Sequence, residues 1–212
     1  MKAFRVLVAG GVLLFLFSGH ENSLSGNSKS KNNFEKTFSA ETIKNKIQTG
    51  DIILRSGKGF ISDVFRQFSL EDKRFSHAGI VSVEQNRIFV YHILGDERRQ
   101  GSQVRKDLLD SFCNVKENNS FAVYRYDLTT NKKKNMVTNL KLFSEKKIKF
   151  DSHFDLATDS AMYCTELVYK AVEAATGNLQ YLPCTIINGN KYIAPDNLYM
   201  NGHSKLIYSY IY

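Results

Sequence analysis

"HAGIVSVEQNRIFVYH", residues 77–92, decides how this chain is built. Two β-branched and aromatic runs flank a short polar segment, the pattern of two strands and a tight turn. If the turn is Gln85 and Asn86, Glu84 pairs with Arg87. His92 then lies opposite Gly79, and His77 opposite Leu94. Both histidines point to one side, as diagonal neighbours with backbones roughly 7–8 Å apart. A three-residue turn would put them on opposite faces, because side chains alternate along a strand. Gly79 has no side chain and leaves room beside His92. Either histidine alone reads as a hydrogen-bonded core residue. Two on one face of adjacent strands ask for a partner.

A partner occurs in "DSAMYCTELVYKAVEAATG", residues 159–177, which reads as one amphipathic helix stopped by Gly177. From Cys164, residues Leu167, Val168, Ala171, Val172 and Ala175 share its face. Cys164 therefore points inward. Free cysteine is among the most buried residue types, so packing alone explains this. With Asp159 or Ser160 as N-cap, however, Cys164 falls in or near the first turn. There the helix dipole is expected to lower the thiol pKa, and unpaired amides can receive an oxyanion. A nucleophilic thiol needs an imidazole base, which in turn needs a group to orient it. Cys164 is the candidate nucleophile, His77 the base and His92 the orienting group.

Elsewhere the pattern is mixed. "TIKNKIQTGDIILRS" holds a helical turn, a Thr-Gly-Asp break and a strand at 52–54. Phe60, Ile61, Val64, Phe65 and Phe68 recur at helical spacing. "VRKDLLDSF", residues 104–112, reads as helix. "FAVYRYDL" reads as a strand, residues 131–147 as a helix, and the tail "KLIYSYIY" as a strand. Strands cluster in the middle with helices around them, which argues α+β with an antiparallel sheet.

The 212 residues, 42% of them hydrophobic, suffice for one domain. Lys2 and Arg5 precede the apolar run at residues 6–17, the pattern of a signal peptide over residues 1–19. That run is short of the ~20 residues a spanning helix needs. Residues 20–36 are rich in Ser, Asn and Lys and read as a flexible tether; the domain is expected over 37–212. Export to the periplasm or beyond follows. The net charge is +8, much of its excess in residues 131–150. A solvated helix face accounts for that, and so does attraction to an anionic membrane or wall polymer. No nucleic-acid motif is present. Three cysteines leave an odd one; pairing Cys113 with Cys184 would leave Cys164 free. No C-x-x-C or H-x-x-x-H spacing supports a metal site, and no cofactor is expected.

"GDIIL" at 50–54, "SHAGIV" at 76–81, "KFDSHFDL" at 149–156 and "YCTELVYKA" at 163–171 occur in that order. The set resembles the YiiX/YebB-like group of circularly permuted papain-fold cysteine hydrolases, relatives of the NlpC-type cell-wall peptidases. The resemblance covers roughly residues 45–212. It implies a central antiparallel sheet or partial barrel flanked by helices. It also implies acyl chemistry through a thioester on Cys164, on an amide of a peptide or of the cell wall. Cys164 matches the nucleophile and His77 the base. His92 stands where the group more commonly has a carboxylate. Tyr163 would help bind the oxyanion or shape the cleft; Asp51, Asp151 and Asp155 match structural positions. Two rivals stand beside this reading: a lipid-ester hydrolase or acyltransferase of the lecithin:retinol acyltransferase type, and a non-catalytic binding module.

Overall fold

The computed structural model describes residues 38–95 and 102–212; the expected leader and tether lie outside the described residues. After a 3-10 turn at Ala40–Thr42 the chain enters β1 (Ile52–Gly57) and the short helix α1 (Phe60–Arg66). The hairpin follows as β2 (His77–Glu84) and β3 (Arg87–His92). Strand β4 (Arg105–Leu108) and helix α2 (Leu109–Phe112) lead to β5 (Asn118–Tyr126). Helix α3 (Thr130–Glu145) precedes β6 (Lys149–Phe150) and β7 (Ala161–Met162), which pair in parallel. Next come α4 (Cys164–Thr176), a small hairpin of β8 (Thr185–Ile187) and β9 (Asn190–Tyr192), and the last strand, β10 (Ser204–Ile211).

Six strands form one antiparallel sheet in the order β10-β5-β1-β2-β3-β4. The hairpin register is the one the sequence predicts: Glu84 faces Arg87, and the ladder runs back to Ile80 facing Tyr91. Gln85 and Asn86 both take positive φ, 46° and 63°. That is the turn whose twist matches the strands it joins.

Both faces of the sheet are covered. Ile52, Leu54, Ala78, Ile80 and Tyr91 on one face pack with α3 and with Leu167, Val168, Ala171 and Val172 of α4. On the other, Ile53, Val81, Val90 and Phe121 pack with Ile43, Leu109 and Phe112. This is the mixed α/β architecture with a central antiparallel sheet that the resemblance implies.

Three expectations are corrected. Residues 105–108 are a strand rather than the start of a helix, because they pair with Phe89–His92; only 109–112 are helical. Helix α4 starts at Cys164, not at 159 or 160, because Ala161 and Met162 pair with β6. The helix read from the spacing of Phe60, Ile61, Val64 and Phe65 is present as α1, and its apolar residues stay out of the core: Phe60 is 68% and Ile61 56% exposed, and no residue of the helix is buried. All three cysteines are free. Cys113 is buried in the core and Cys184 is on the surface, so the pairing considered for them is not made.

Candidate active site

The histidines come from neighbouring strands. His77 is the first residue of β2 and His92 the last of β3. Alternation sends both to the sheet face that carries Val81 and Val90, and their rings meet, His77 Nε2 to His92 Nδ1 at 3.0 Å. Gly79 makes this fit: a Cβ there would come within 2.6 Å of Val90 Cγ1 and 3.2 Å of His92 Cβ. The other nitrogen of His92, Nε2, lies 3.0 Å from Asp107 Oδ2. Asp107 is on β4, one further diagonal step across the sheet. A carboxylate is thus present after all, behind His92 rather than in its place. The Phe112 ring closes over both imidazoles, with centroids 5.6 Å from His77 and 5.1 Å from His92.

Arg55, the cross-strand partner of His77, completes this layer. It is buried, its Nη1 donates to the Phe112 carbonyl at 2.8 Å, and its guanidinium lies 4.6 Å from the Phe112 ring centroid. Its Nε has no partner among the described residues. Burial lowers the His77 pKa well below its usual range, and Arg55 and His92 add to the effect. Burial also lowers that of His92, against the pull of Asp107. Partial burial works to raise the Asp107 carboxyl, but hydrogen bonds from His92 and Arg105 outweigh it and hold it at about 2.

Cys164 is the first residue of α4, so its own amide and that of Thr165 are among the unpaired N–H groups of the helix start. Two contacts to Ile193 hold the turn. The Thr165 hydroxyl donates to the Ile193 carbonyl at 2.5 Å, and the Ile193 amide donates to the Tyr163 hydroxyl at 2.8 Å. Glu166 caps the helix by accepting from the Tyr163 amide at 3.2 Å. Its Oε1 is buried without a partner among the described residues, and burial raises its carboxyl to about 8.

The sulfur faces the backbone N–H of Ala78, the residue after His77. Cys164 packs with the α4 side of the sheet and the His77 ring with Phe112 on the other; the sulfur meets β2 at the Ala78 amide, one residue from His77. Among the described residues no hydrogen bond joins Cys164 and His77. Burial pushes the thiol up to about 11, although the amides of Ala78 and Thr165 and the charge of Arg55 oppose it. The lowering expected from the helix start is therefore outweighed. A dipole contribution of ~0.3–1 kcal/mol is under one pK unit.

A narrow cleft opens onto Cys164 between Phe65, Phe68, Phe154, Tyr163 and Tyr192, with room for roughly one water molecule. Phe68 stacks on Phe154 at 5.1 Å, and Phe154 packs on Tyr163 at 5.0 Å. Burial raises the Tyr163 phenol far above its usual range, so it keeps its proton. Its oxygen accepts from Ile193, and the proton is left to donate into the cleft.

Sequence reasoning named Cys164, His77, His92 and Tyr163. It missed Asp107 and Arg55. Asp107 lay in a segment read as helix, which hid its register with His92. For Arg55 the signal was an arginine at the end of an otherwise apolar strand. Asp51 and Asp151 are structural, as the resemblance implies: Asp51 binds Arg125 at 2.7 Å, and Asp151 accepts the amides of His153 and Asp155. Among the described residues no group of three His, Cys, Asp or Glu could hold a metal ion.

A family model described as the permuted papain-like amidase enzyme, YaeF/YiiX, matches residues 46–208. The crystal structure of the metalloprotein YiiX from Escherichia coli is similar in fold, with a TM-score of 0.64 and 16% sequence identity. The match covers 79% of this chain and 99% of that one. No curated protein matches the chain by sequence.

Proposed function

The chain belongs to the permuted papain-like amidase family, a family of cysteine amidases and peptidases, and from that premise we propose that it hydrolyses an amide through a thioester on Cys164. The observation that carries the reading is the pairing of two features. A cysteine stands at the first position of a buried helix, against the Ala78 amide, and a hydrogen-bonded row of histidines begins at the preceding residue.

The resting pair is a neutral thiol and a neutral imidazole. As the sulfur bonds to the substrate carbonyl carbon, its proton passes to His77 Nδ1. The amides at the start of α4 and the Tyr163 hydroxyl stabilise the oxyanion. The C–N bond then breaks, and His77 returns the proton to the leaving amine. Water hydrolyses the thioester with His77 again acting as base. The mechanism requires a Cys164–His77 contact in the substrate complex; such contacts are often long or misaligned before substrate binds.

The substrate class we favour is a peptide or cell-wall-type amide, met outside the cytoplasmic membrane. The basic and apolar run at residues 2–17 supports export. One observation favours a lipid ester instead: Phe60, Ile61 and Val64 are exposed on α1, whose Phe65 lines the aromatic cleft. The test is the mass of the Cys164 peptide after incubation with wall peptides and, separately, with lipid esters. An acyl adduct from the former, with turnover lost in Cys164→Ala at unchanged fold, is expected. Full activity of Cys164→Ala would sink the reading. Fatty acid release without peptide cleavage would move it to the ester. Silence on both substrates with an unreactive Cys164 would favour a binding module.

A further inference from the structure

We propose that Asp107 is a positioning residue that decides which nitrogen of His77 is left bare to take the proton of Cys164. The proposal rests on the reading of His77 as the base.

The protons can be placed one by one along a single row. Asp107 Oδ1 receives Arg105 Nε at 3.0 Å and Nη2 at 2.8 Å; its Oδ2 lies 3.0 Å from His92 Nε2. An ionised carboxylate only accepts, so the proton of that contact belongs to His92 Nε2. A neutral imidazole carries one N–H, which leaves His92 Nδ1 as an acceptor. The 3.0 Å contact to His77 Nε2 must then be donated by His77. His77 is also neutral, so its Nδ1 carries a lone pair. The row ends on the atom a general base needs.

His92 alone does not determine this. With water in place of Asp107, the reversed row has equal standing: His92 Nδ1–H donates to His77 Nε2, and His77 holds its proton on Nδ1. That tautomer cannot accept from a thiol. The surroundings keep both rings neutral. Arg55 of β1 and Arg105 of β4 oppose added positive charge; among the described residues Asp107 is the carboxylate bonded to the row, Glu117 acts on Arg55, and the Phe112 ring from α2 brings no charge. The sequence carries a carboxylate two strands from the base rather than one. The second imidazole transmits its effect.

The test is nitrogen NMR of the full chain labelled at its five histidines. Two- and three-bond proton–nitrogen couplings report which ring nitrogen is protonated. At pH 7, His77 and His92 are expected to carry hydrogen on Nε2 alone. In Asp107→Asn the side-chain amide can donate as well as accept, so a second tautomer should appear at both rings. Cys164 alkylation should slow in proportion to the share of the second tautomer, toward the ~10²–10⁴-fold that acid–base help is worth when the first is lost entirely. A proton on His77 Nδ1 in the unmodified chain would overturn the proposal, as would unchanged tautomers in Asp107→Asn. The first measurement needs no variant, so a misfolded Asp107→Asn does not remove the test. If the tautomers are as expected but no amide is cleaved, the row stands and the proposed function falls.

Discussion

At the scale of single residues, the protonation of Cys164 and His77 separates this site from one with a preformed ion pair. Burial holds the thiol near 11 and drives the imidazole well below 6.5. The sign follows directly. Raising the pH converts thiol to the reactive thiolate only in the alkaline range, while His77 stays neutral throughout. Alkylation of Cys164 by iodoacetamide, read by mass spectrometry of its peptide, should keep rising from pH 7 to pH 10. A plateau reached below pH 7 would mean a thiolate–imidazolium pair and would contradict this environment. Cys164, His77 and His92 were legible because period and parity suffice: one helix face, one strand face, one turn length. The thiol's charge state was not, since it depends on how completely α4 is covered. Neither was Asp107, whose strand is four residues long and continues into an apolar turn of helix.

Among the elements, α1 lies over the cleft that opens onto the thiol. It has no buried residue and no side-chain cap, yet its Phe65 and the Phe68 that follows it roof the cleft. The next residues are pinned: the Asp196 carboxylate accepts the amides of Leu70 and Glu71 at 3.0 and 2.9 Å, and the Tyr192 hydroxyl donates to the Phe68 carbonyl at 3.1 Å. The helix is therefore tied at its exit, where Arg66 also donates to the Ser56 hydroxyl and the Gly57 carbonyl, while none of its residues is buried, the low local burial from which covers are drawn. Phe68→Ala should remove the stack on Phe154 and speed alkylation of Cys164 by a bulky maleimide about tenfold or more, with little change for iodoacetamide, as a steric gate requires. Equal acceleration of both reagents would instead mean a general loosening of the fold. The helix was visible in the sequence, but its role was not. Apolar spacing gives the stripe and not what covers it.

Across the whole molecule, positive charge gathers along one helix. Lys132, Lys134, Lys141, Lys146 and Lys147, on α3 and just past its end, are exposed, opposite a buried stripe of Met136, Val137 and Leu140. Sedimentation with anionic vesicles or wall polymer should show binding that weakens as salt rises from 50 to 500 mM, because the screening length shrinks. Binding that ignores salt would place the attraction on the apolar residues of α1. The sheet itself has a further consequence. Every acid–base group of the row lies before α3, and the sulfur lies after it. The two parts are joined by β10 pairing with β5 and by the Tyr126 hydroxyl on the Leu198 carbonyl. A chain cut in the short link at 127–129 would leave the bases in one fragment and the nucleophile in the other. Turnover would then report the reunion of the two pieces, making the domain a split reporter in which neither half is active alone.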